Sequence, residues 1–515
     1  MGSMECIITV ELGTNGVRVI AFDLKGTAIA SMKGSYPTFH TEPDHSEQDP
    51  EQIFITMLYV LKNLLTEKVH PKNYKVVMIC FSASMHSVLP IDRNGVPIGN
   101  AITWADNRGK LEARELKQSK FGRDLYNATG TPIHPMSPLI KIKWLSKNDK
   151  ERFDKTYKFL SIKTYIIQQL TSEYILDYSL ASATGLFNFQ RMTWDSDALS
   201  YAGITSKELP DLAPVFASAG QLRREYQKSL GLNENVKLMV GSSDGCLATL
   251  GGGVWEEGKA TITIEDSGAV RIVGKEVIRD EKQRFFNYLL AENYFVSGGP
   301  TNNGGIIFEW FAKQFGDFKS AFDIEYTLEN LMREASGCRP GAEGLIFLPY
   351  LQGERAPIWN ANARGNYFGI NIKHERQHFI RATIEGILYE VYSIGKTLQE
   401  QRRIDNLTVN GSFASMPLCS QILADLFNKP VSTGSNPDSI ALGAFLLCAT
   451  DMGIYKNLDE AARTVVLSET YHPHPYNHST YEKYFAIFER LTGKLSEEFE
   501  EIANLQHEEH LSFPH

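Results

Sequence analysis

The feature that most constrains this chain is a pattern it carries twice. Cys6–Val10 is an apolar, strand-forming run, Glu11-Leu12-Gly13-Thr14-Asn15-Gly16 is a turn, and Val17–Phe22 is a second apolar run closed by Asp23-Leu24-Lys25-Gly26. Two such runs around a glycine-containing turn read as a β-hairpin. Lys259–Ile264, Glu265-Asp266-Ser267-Gly268 and Ala269–Val273 repeat the arrangement, again with an acid at the turn. Length alone, 515 residues, suggests about three domains at roughly 150 residues each, or two large ones. The repeat points to two similar domains rather than three. Gly251-Gly252-Gly253 stands just before the second copy and is the expected boundary. The division expected is therefore 4–253, 254–470 and a tail over 471–515.

Between and after the hairpins, strand patterns alternate with helical ones. A helix is predicted near 50–67, a strand over Lys75–Phe81, a helix-rich stretch over 108–170, a strand over Val236–Val240 and a helix over Asp438–Leu447. Alternation of this kind indicates an α/β class. In the tail, Tyr481, Tyr484, Phe485, Phe488, Leu491, Leu495, Phe499 and Ile502 recur at helical spacing. They predict one amphipathic helix packed on the body, with a connecting loop at Pro473 and Pro475 and a frayed end.

Charge narrows the function classes. A net charge of −9 and a pI near 5.9 argue against nucleic acid and anionic membrane as partners. Phosphate ligands stay open, because backbone N–H groups bind them locally. No apolar stretch is long enough to span a bilayer. No basic region followed by an apolar run opens the chain, so the cytoplasm is the expected compartment. The 6 cysteines include no CxxC pair, and most sit in apolar runs. They read as buried small hydrophobes rather than as a redox or zinc site.

Three segments carry possible chemistry. Glycine-rich turns at Gly13-Thr14-Asn15-Gly16 and at Gly298–Gly305 let backbone amides approach phosphate oxygens. Each alone is more often a plain turn. Neither GxxxxGK[ST] nor a helix-opening GxGxxG is present, which excludes a P-loop and disfavours a dinucleotide fold. Gly241-Ser242-Ser243-Asp244-Gly245 follows the strand Val236–Val240. An aspartate there can accept a proton from a substrate hydroxyl, or simply cap a helix. Ser84-Met85-His86-Ser87 and Trp104-Ala105-Asp106-Asn107-Arg108 together offer a polar surface for a hydroxylated ligand, and an arginine can pair bidentately with a carboxylate. Taken singly, such residues are more often a core histidine or a surface salt bridge.

In combination these segments resemble the FGGY family of carbohydrate kinases, from about Ile7 to about Tyr455. The stretch from Gly365-Asn366-Tyr367-Phe368-Gly369-Ile370 to His378–Glu385 matches the family signature. Ser82–Leu89, Ile102–Arg108, Thr129–Pro138, Gly298–Gly305 and Phe347–Pro357 are most similar to the family's gluconokinases. The resemblance implies an α/β fold of two ribonuclease H-like domains of the actin and hexokinase ATPase type, with an interdomain active-site cleft. It implies ATP and Mg²⁺, a small sugar or aldonate partner, and phosphorylation of the terminal hydroxyl of D-gluconate to 6-phosphogluconate. Nucleic acid and membrane are not implied, and a homodimer is one assembly left open.

Residue by residue, the resemblance makes Asp244 the general base. It puts Met85, His86, Trp104, Asp106, Arg108 and His134 at the sugar. It puts Gly13, Thr14, Asn15, Arg18, Glu265, Asp266, Ser267, Gly305, Gly411, Ser412 and Ser415 at the nucleotide, and Glu11 with Asp244 at the metal. Two departures from the pattern stand out. Glu11 replaces the family's aspartate, and Glu265-Asp266 replaces a Gly-Thr pair that donates to the ATP phosphates. The second departure leaves three outcomes open: an added cation, a turn that points the acids away, or a catalytically impaired sugar-binding paralogue. A kinase acting on another sugar, such as xylulose, is the remaining alternative.

Overall fold

The computed structural model describes residues 4–42, 44–291, 293–316, 324–434 and 438–512. The chain divides into two compact units. The first holds Met1–Trp255, Val273–Ser297 and Asp438–Val465, and the second holds Glu256–Ile272, Gly298–Pro437 and Val466–His515. The glycine run at 251–253 lies beside the end of the first unit's main segment, but two later segments return to that unit. One reason is visible in the helix Ser439–Asp451. It is apolar on most sides, with Ala441, Ala444, Phe445, Leu446, Leu447 and Cys448 all buried. A helix of that kind has to be enclosed.

The first unit is built on five strands: β1 (Met4–Leu12), β2 (Gly16–Asp23), β3 (Ala28–Ser35), β4 (Tyr74–Ala83) and β5 (Lys237–Ser243). Their order across the sheet is β5-β4-β1-β2-β3. The β1–β2 and β2–β3 pairs are antiparallel, and β4 lies parallel to both β1 and β5. Strand β1 shows why both faces are covered. Ile8 and Val10 belong to one core cluster with Ile53 and Met57 of the helix Pro50–Asn63. Ile7 belongs to another, with Phe445 and Leu446 of the helix Ser439–Asp451. Alternate side chains of a strand point to opposite faces, so a continuous apolar run reads as a strand buried on both.

The second unit repeats the plan. Strands β6 (Gly258–Ile264), β7 (Gly268–Gly274), β8 (Tyr294–Thr301, entering the unit at Gly298), β9 (Ile404–Asn410), β10 (Val431–Gly434) and β11 (Leu467–Tyr471) run in the order β8-β7-β6-β9-β10-β11. As in the first unit, the opening hairpin is antiparallel, the strand on the other side of its first strand lies parallel to it (β4 beside β1, β9 beside β6), and the next lies parallel again (β5, β10). The sequence repeat is thus a repeat of sheet topology.

The tail differs from the single helix that its periodicity predicts. It forms two helices, Pro475–Lys494 and Ser496–Ser512, broken at Leu495, where ψ is 8°. The last dozen residues, expected to fray, are helical as far as Ser512. Pro475 opens the first of these helices rather than prolonging a loop, which suits a residue with no N–H to satisfy. The nearby histidines serve as anchors: Asp425 accepts from His474 N at 2.8 Å and Asn477 Nδ2 at 2.9 Å, and the His478 ring reaches the Asp425 carbonyl at 2.9 Å. The family signature is likewise structural here. Arg381 pairs with Glu385 at 2.6 Å, and the Tyr481 hydroxyl in the tail bonds to both. All six cysteines are buried, and no disulfide joins them. Among the described residues no helix is long and apolar enough to cross a membrane.

Candidate active site

In the first unit the parallel strands end together. Glu11 of β1 lies beside Ser82 of β4, which lies beside Ser242 of β5. Asp244 follows two residues later, as the first residue of the helix Asp244–Gly251. Glu11 and Asp244 therefore share the carboxyl edge of the sheet, two strands apart, or about 10 Å between backbones at ordinary strand spacing. That edge is where open α/β sheets take ligands. Asp244 is partly exposed between buried Ser243 and buried Gly245, and its Oδ1 accepts from Gly245 N at 2.6 Å. Its helix is seated closely. A Cβ on Gly251 would come within 1.9 Å of the Ser439 carbonyl oxygen, and one on Gly443 within 2.0 Å of that of Leu247. The small residues near 441–444 thus permit the helix crossing that fixes Asp244.

The turn after β1 is held by side chains. Tyr36 donates its hydroxyl to the Gly13 carbonyl at 2.6 Å, Gln48 donates to Thr14 O at 2.6 Å, and Trp104 Nε1 donates to Thr14 Oγ1 at 2.9 Å. Trp104 is therefore tied to Thr14, which links a position predicted for the sugar to one predicted for phosphate. Burial, and then the nearby Glu11 carboxylate, raise the Tyr36 phenol well above its ordinary value. Asn15 is exposed at the turn's tip. Arg18 leans away along β2 and pairs with Asp438.

The predicted sugar residues fall into two groups. Asp106 and Arg108 form a buried pair. Arg108 Nε meets Asp106 Oδ1 and Nη2 meets Oδ2, both at 2.8 Å, while Nη2 also reaches Glu47 at 2.7 Å. Their side chains are 0% and 4% exposed. Asp106 also accepts from Ser46 N at 2.7 Å. Burial alone would lower the Arg108 guanidinium, yet Asp106 and Glu47 hold it above its usual value. In this arrangement the pair braces the loop that carries Trp104.

His86 and His134 sit differently. His86 adopts φ 71°, rare for a residue with a Cβ. Its Nδ1 lies 2.8 Å from the Ala183 carbonyl, which can only accept, so Nδ1 carries the proton and Nε2 faces the Tyr288 hydroxyl at 3.3 Å. His134 Nδ1 accepts from Met136 N at 3.2 Å. Lys141, a residue the sequence did not single out, joins these two loops. Fully buried, it donates to His86 O at 2.6 Å and to Met136 O at 2.8 Å. Burial pushes its ammonium down to about 7, against the pull of Asp106. Met85, half-buried, packs at the edge of the core beneath.

In the second unit the turn Glu265–Gly268 meets the start of the helix Gly305–Phe315. Gly305 N donates to Glu265 O at 2.6 Å, and Gly304 N and Ile306 N donate to Asp266 O at 3.2 and 3.3 Å. A Cβ on Gly304 or Gly305 would lie 2.8 Å from the Glu265 carbonyl oxygen, so the protein itself requires both glycines. The Glu265 carboxylate accepts from Ser412 Oγ at 2.9 Å, which turns it toward the Gly411–Ser415 loop. Gly411, at φ 92°, follows β9 with its Cβ position 2.4 Å from Ile264 O, so only glycine fits. Ser415 is exposed just ahead of the helix Pro417–Phe427. The Gly298–Gly305 segment is fastened by buried Glu354, which accepts from Thr301 Oγ1, Asn302 N and Asn303 Nδ2 at 2.6, 3.0 and 2.9 Å.

The structure thus gathers Glu11, Gly13, Thr14, Asn15, Trp104 and Asp244 at one sheet edge. It gathers Glu265, Asp266, Ser267, Gly305, Gly411 and Ser412 at the corresponding edge of the second unit. Tyr36, Gln48, Lys141 and Glu354 complete these arrangements. Glu354 lay within a recognised motif, whereas an isolated tyrosine or lysine gives no sequence signal.

Known proteins resemble this chain along nearly its whole length. The profile of the FGGY family of carbohydrate kinases, N-terminal domain, matches residues 6–251, and that of the C-terminal domain matches residues 262–452. The gluconokinase of Bacillus subtilis (strain 168) is 35% identical over 507 residues, covering 97% of this chain and 98% of that protein. The crystal structure of gluconate kinase from Lactobacillus acidophilus superposes with a TM-score of 0.91 at 31% identity, covering 97% of this chain and 100% of the other. A ligand-bound xylulose kinase from the same organism superposes with a TM-score of 0.90 at 31% identity and the same coverage.

Proposed function

The chain belongs to the FGGY family of carbohydrate kinases, and from that premise we propose that it transfers the γ-phosphoryl group of ATP to the terminal hydroxyl of D-gluconate. The observation that supports this most directly is the partly exposed Asp244 carboxylate at the carboxyl edge of β1, β4 and β5, beside the sequence similarity to a gluconokinase along nearly the whole chain. Phosphoryl transfer needs positioning, charge neutralisation and an acceptor for the hydroxyl proton. In this reading Asp244 takes that proton as the substrate oxygen attacks. Gly13, Thr14 and Asn15, with Glu265 to Ser267 and the loop at Gly411, accommodate the nucleotide. Gly411 fits that role because its backbone is confined to a conformation that brings the chain close without a side chain.

Glu11 and Asp244 offer hard carboxylate oxygens, a donor set suited to Mg²⁺. The bound ion would neutralise charge on the phosphates. The sugar would lie along Met85, His86 and Trp104, with His134 nearby. Asp106 and Arg108 act there by bracing, since their charges satisfy one another.

The test is ADP release from Mg-ATP with D-gluconate, xylulose, glycerol and further aldonates and pentoses. Turnover on gluconate, lost in Asp244→Ala, is the expected result; preference for xylulose would reassign the substrate. A second reading, a sugar-binding paralogue of low activity, draws on the Glu265–Ser412 hydrogen bond. It places a carboxylate beside a loop that the family uses for nucleotide. Sugar binding without ADP release across the panel would favour it.

A further inference from the structure

Behind Asp244 lies a buried ion pair that the proposed chemistry does not use. Lys163 Nζ stands 2.6 Å from Asp177 Oδ2, with the two side chains 1% and 0% exposed. Such a pair is rarely a net source of stability, because desolvation offsets most of the attraction. Its surroundings indicate what it holds. Lys163 Nζ also donates to the Ser242 carbonyl at 3.2 Å, on the strand that ends one residue before Asp244.

Asp177 Oδ1 accepts from Leu180 N at 2.9 Å and so caps the short helix Tyr178–Ser182. In the first turn of that helix, buried Ser179 accepts from Ser243 N at 3.3 Å and shares a 2.9 Å hydrogen bond with the Ser243 hydroxyl. Both residues immediately before Asp244 are therefore gripped, Ser242 by the lysine and Ser243 by the serine, and Asp177 ties the two grips together. The strand needs such a grip. Gly241, at φ 73°, departs from extended geometry just upstream, and the pairing of β5 with β4 shifts register between Met239 and Ser242.

We propose that Lys163, Asp177 and Ser179 form a positioning cluster that sets the backbone from which Asp244 meets the substrate hydroxyl. This rests on the reading of Asp244 as proton acceptor. A reacting group must be held in near-attack geometry, and a displacement of about 1 Å can cost about a hundredfold in rate. All three side chains are buried, so the loss of the cluster would show in turnover rather than in binding.

Lys163→Met, Asp177→Asn and Ser179→Ala, together with the double variant Lys163→Met/Asp177→Leu, test this beside Asp244→Asn. Steady-state kinetics on the best substrate of the panel and thermal melts are read for each. The expected result is a kcat about ten- to a hundredfold lower in the two charge variants, a smaller loss in Ser179→Ala, and a KM for sugar and for ATP that changes little. The double variant is decisive, because it removes both buried charges at once. Its melting temperature is expected to recover towards wild type while kcat stays low. Recovery of kcat along with stability would reduce the pair to a structural role and overturn the inference. So would an unchanged kcat in Ser179→Ala and both charge variants while Asp244→Asn is inactive. An Asp244→Asn protein that turns over normally would instead remove the underlying reading, and the cluster's role with it.

Discussion

The turns Glu11–Gly16 and Glu265–Gly268 close equivalent hairpins, yet different chemistry holds them. The first is fastened by side chains from elsewhere in its unit: a phenol on Gly13 O, an amide on Thr14 O and an indole on Thr14 Oγ1. The second is fastened by the backbone amides of Gly304, Gly305 and Ile306, at the start of a helix. Side-chain anchors can be lost one at a time by substitution. Backbone anchors do not depend on residue identity, except where a Cβ would push the partners apart. The second turn is thus held through its backbone while it carries two acids, and its Glu265 is turned onto Ser412. A carboxylate engaged with the neighbouring loop is not among the three outcomes the sequence left open; of those, the impaired paralogue is the one this hydrogen bond bears on.

Substitutions can break or sharpen this contrast. The largest effect is expected at the first unit's edge. Asp244→Asn should lower kcat about 10²- to 10⁴-fold, the usual worth of a positioned proton acceptor, with little change in the melting temperature. A steady-state assay of ADP release checks it. Next comes the backbone anchor of the second turn. Gly304→Ala places a Cβ 2.6–2.8 Å from Ser267 and Glu265 main-chain atoms. At an overpacking cost of about 1–3 kcal/mol, KM for ATP should rise by roughly five- to a hundredfold while KM for the sugar holds. Equal effects on both substrates would contradict the assignment of this turn to the nucleotide.

Charge should matter less than geometry, because Glu265 and Asp266 are exposed. Replacing them together, Glu265→Gly with Asp266→Thr, relieves about 1 kcal/mol of repulsion in a watery setting. KM for ATP is expected to fall by about fivefold; an increase would mean that the acids assist binding, as through a recruited cation. The smallest effect is expected at a single side-chain anchor. Tyr36→Phe removes a hydroxyl shared between Gly13 O and Gly16 O. About 1 kcal/mol of stability should be lost, read as a fall of a few degrees in a thermal melt, with KM for ATP almost unchanged.

How far each feature was legible follows from the range of the interactions behind it. The hairpins appear in the sequence because alternation and turn glycines act over a few residues. Asp244 was readable as a strand-end acid for the same reason. The tail was only half readable: its apolar spacing runs through Leu495 without interruption, while the backbone breaks there. Arg108 shows a limit of another kind. Its motif suggests a carboxylate ligand, and the carboxylates it meets are Asp106 and, from a distant strand, Glu47.

By itself the sequence determined the α/β class, the duplicated hairpin, the burial of the cysteines and the family. Each is written in local periodicity or in motifs whose residues are close neighbours along the chain. Only the tertiary structure decided which residues hold those motifs in place. It returned the helix Ser439–Asp451 to the first unit, to sit on Gly251 of the helix that bears Asp244. It brought Tyr36 to Gly13, Lys141 to His86, and the Lys163–Asp177 pair to the strand before Asp244. The physical reason is that a buried charge or hydroxyl must find a partner wherever packing supplies one, and packing brings together residues that the chain keeps far apart.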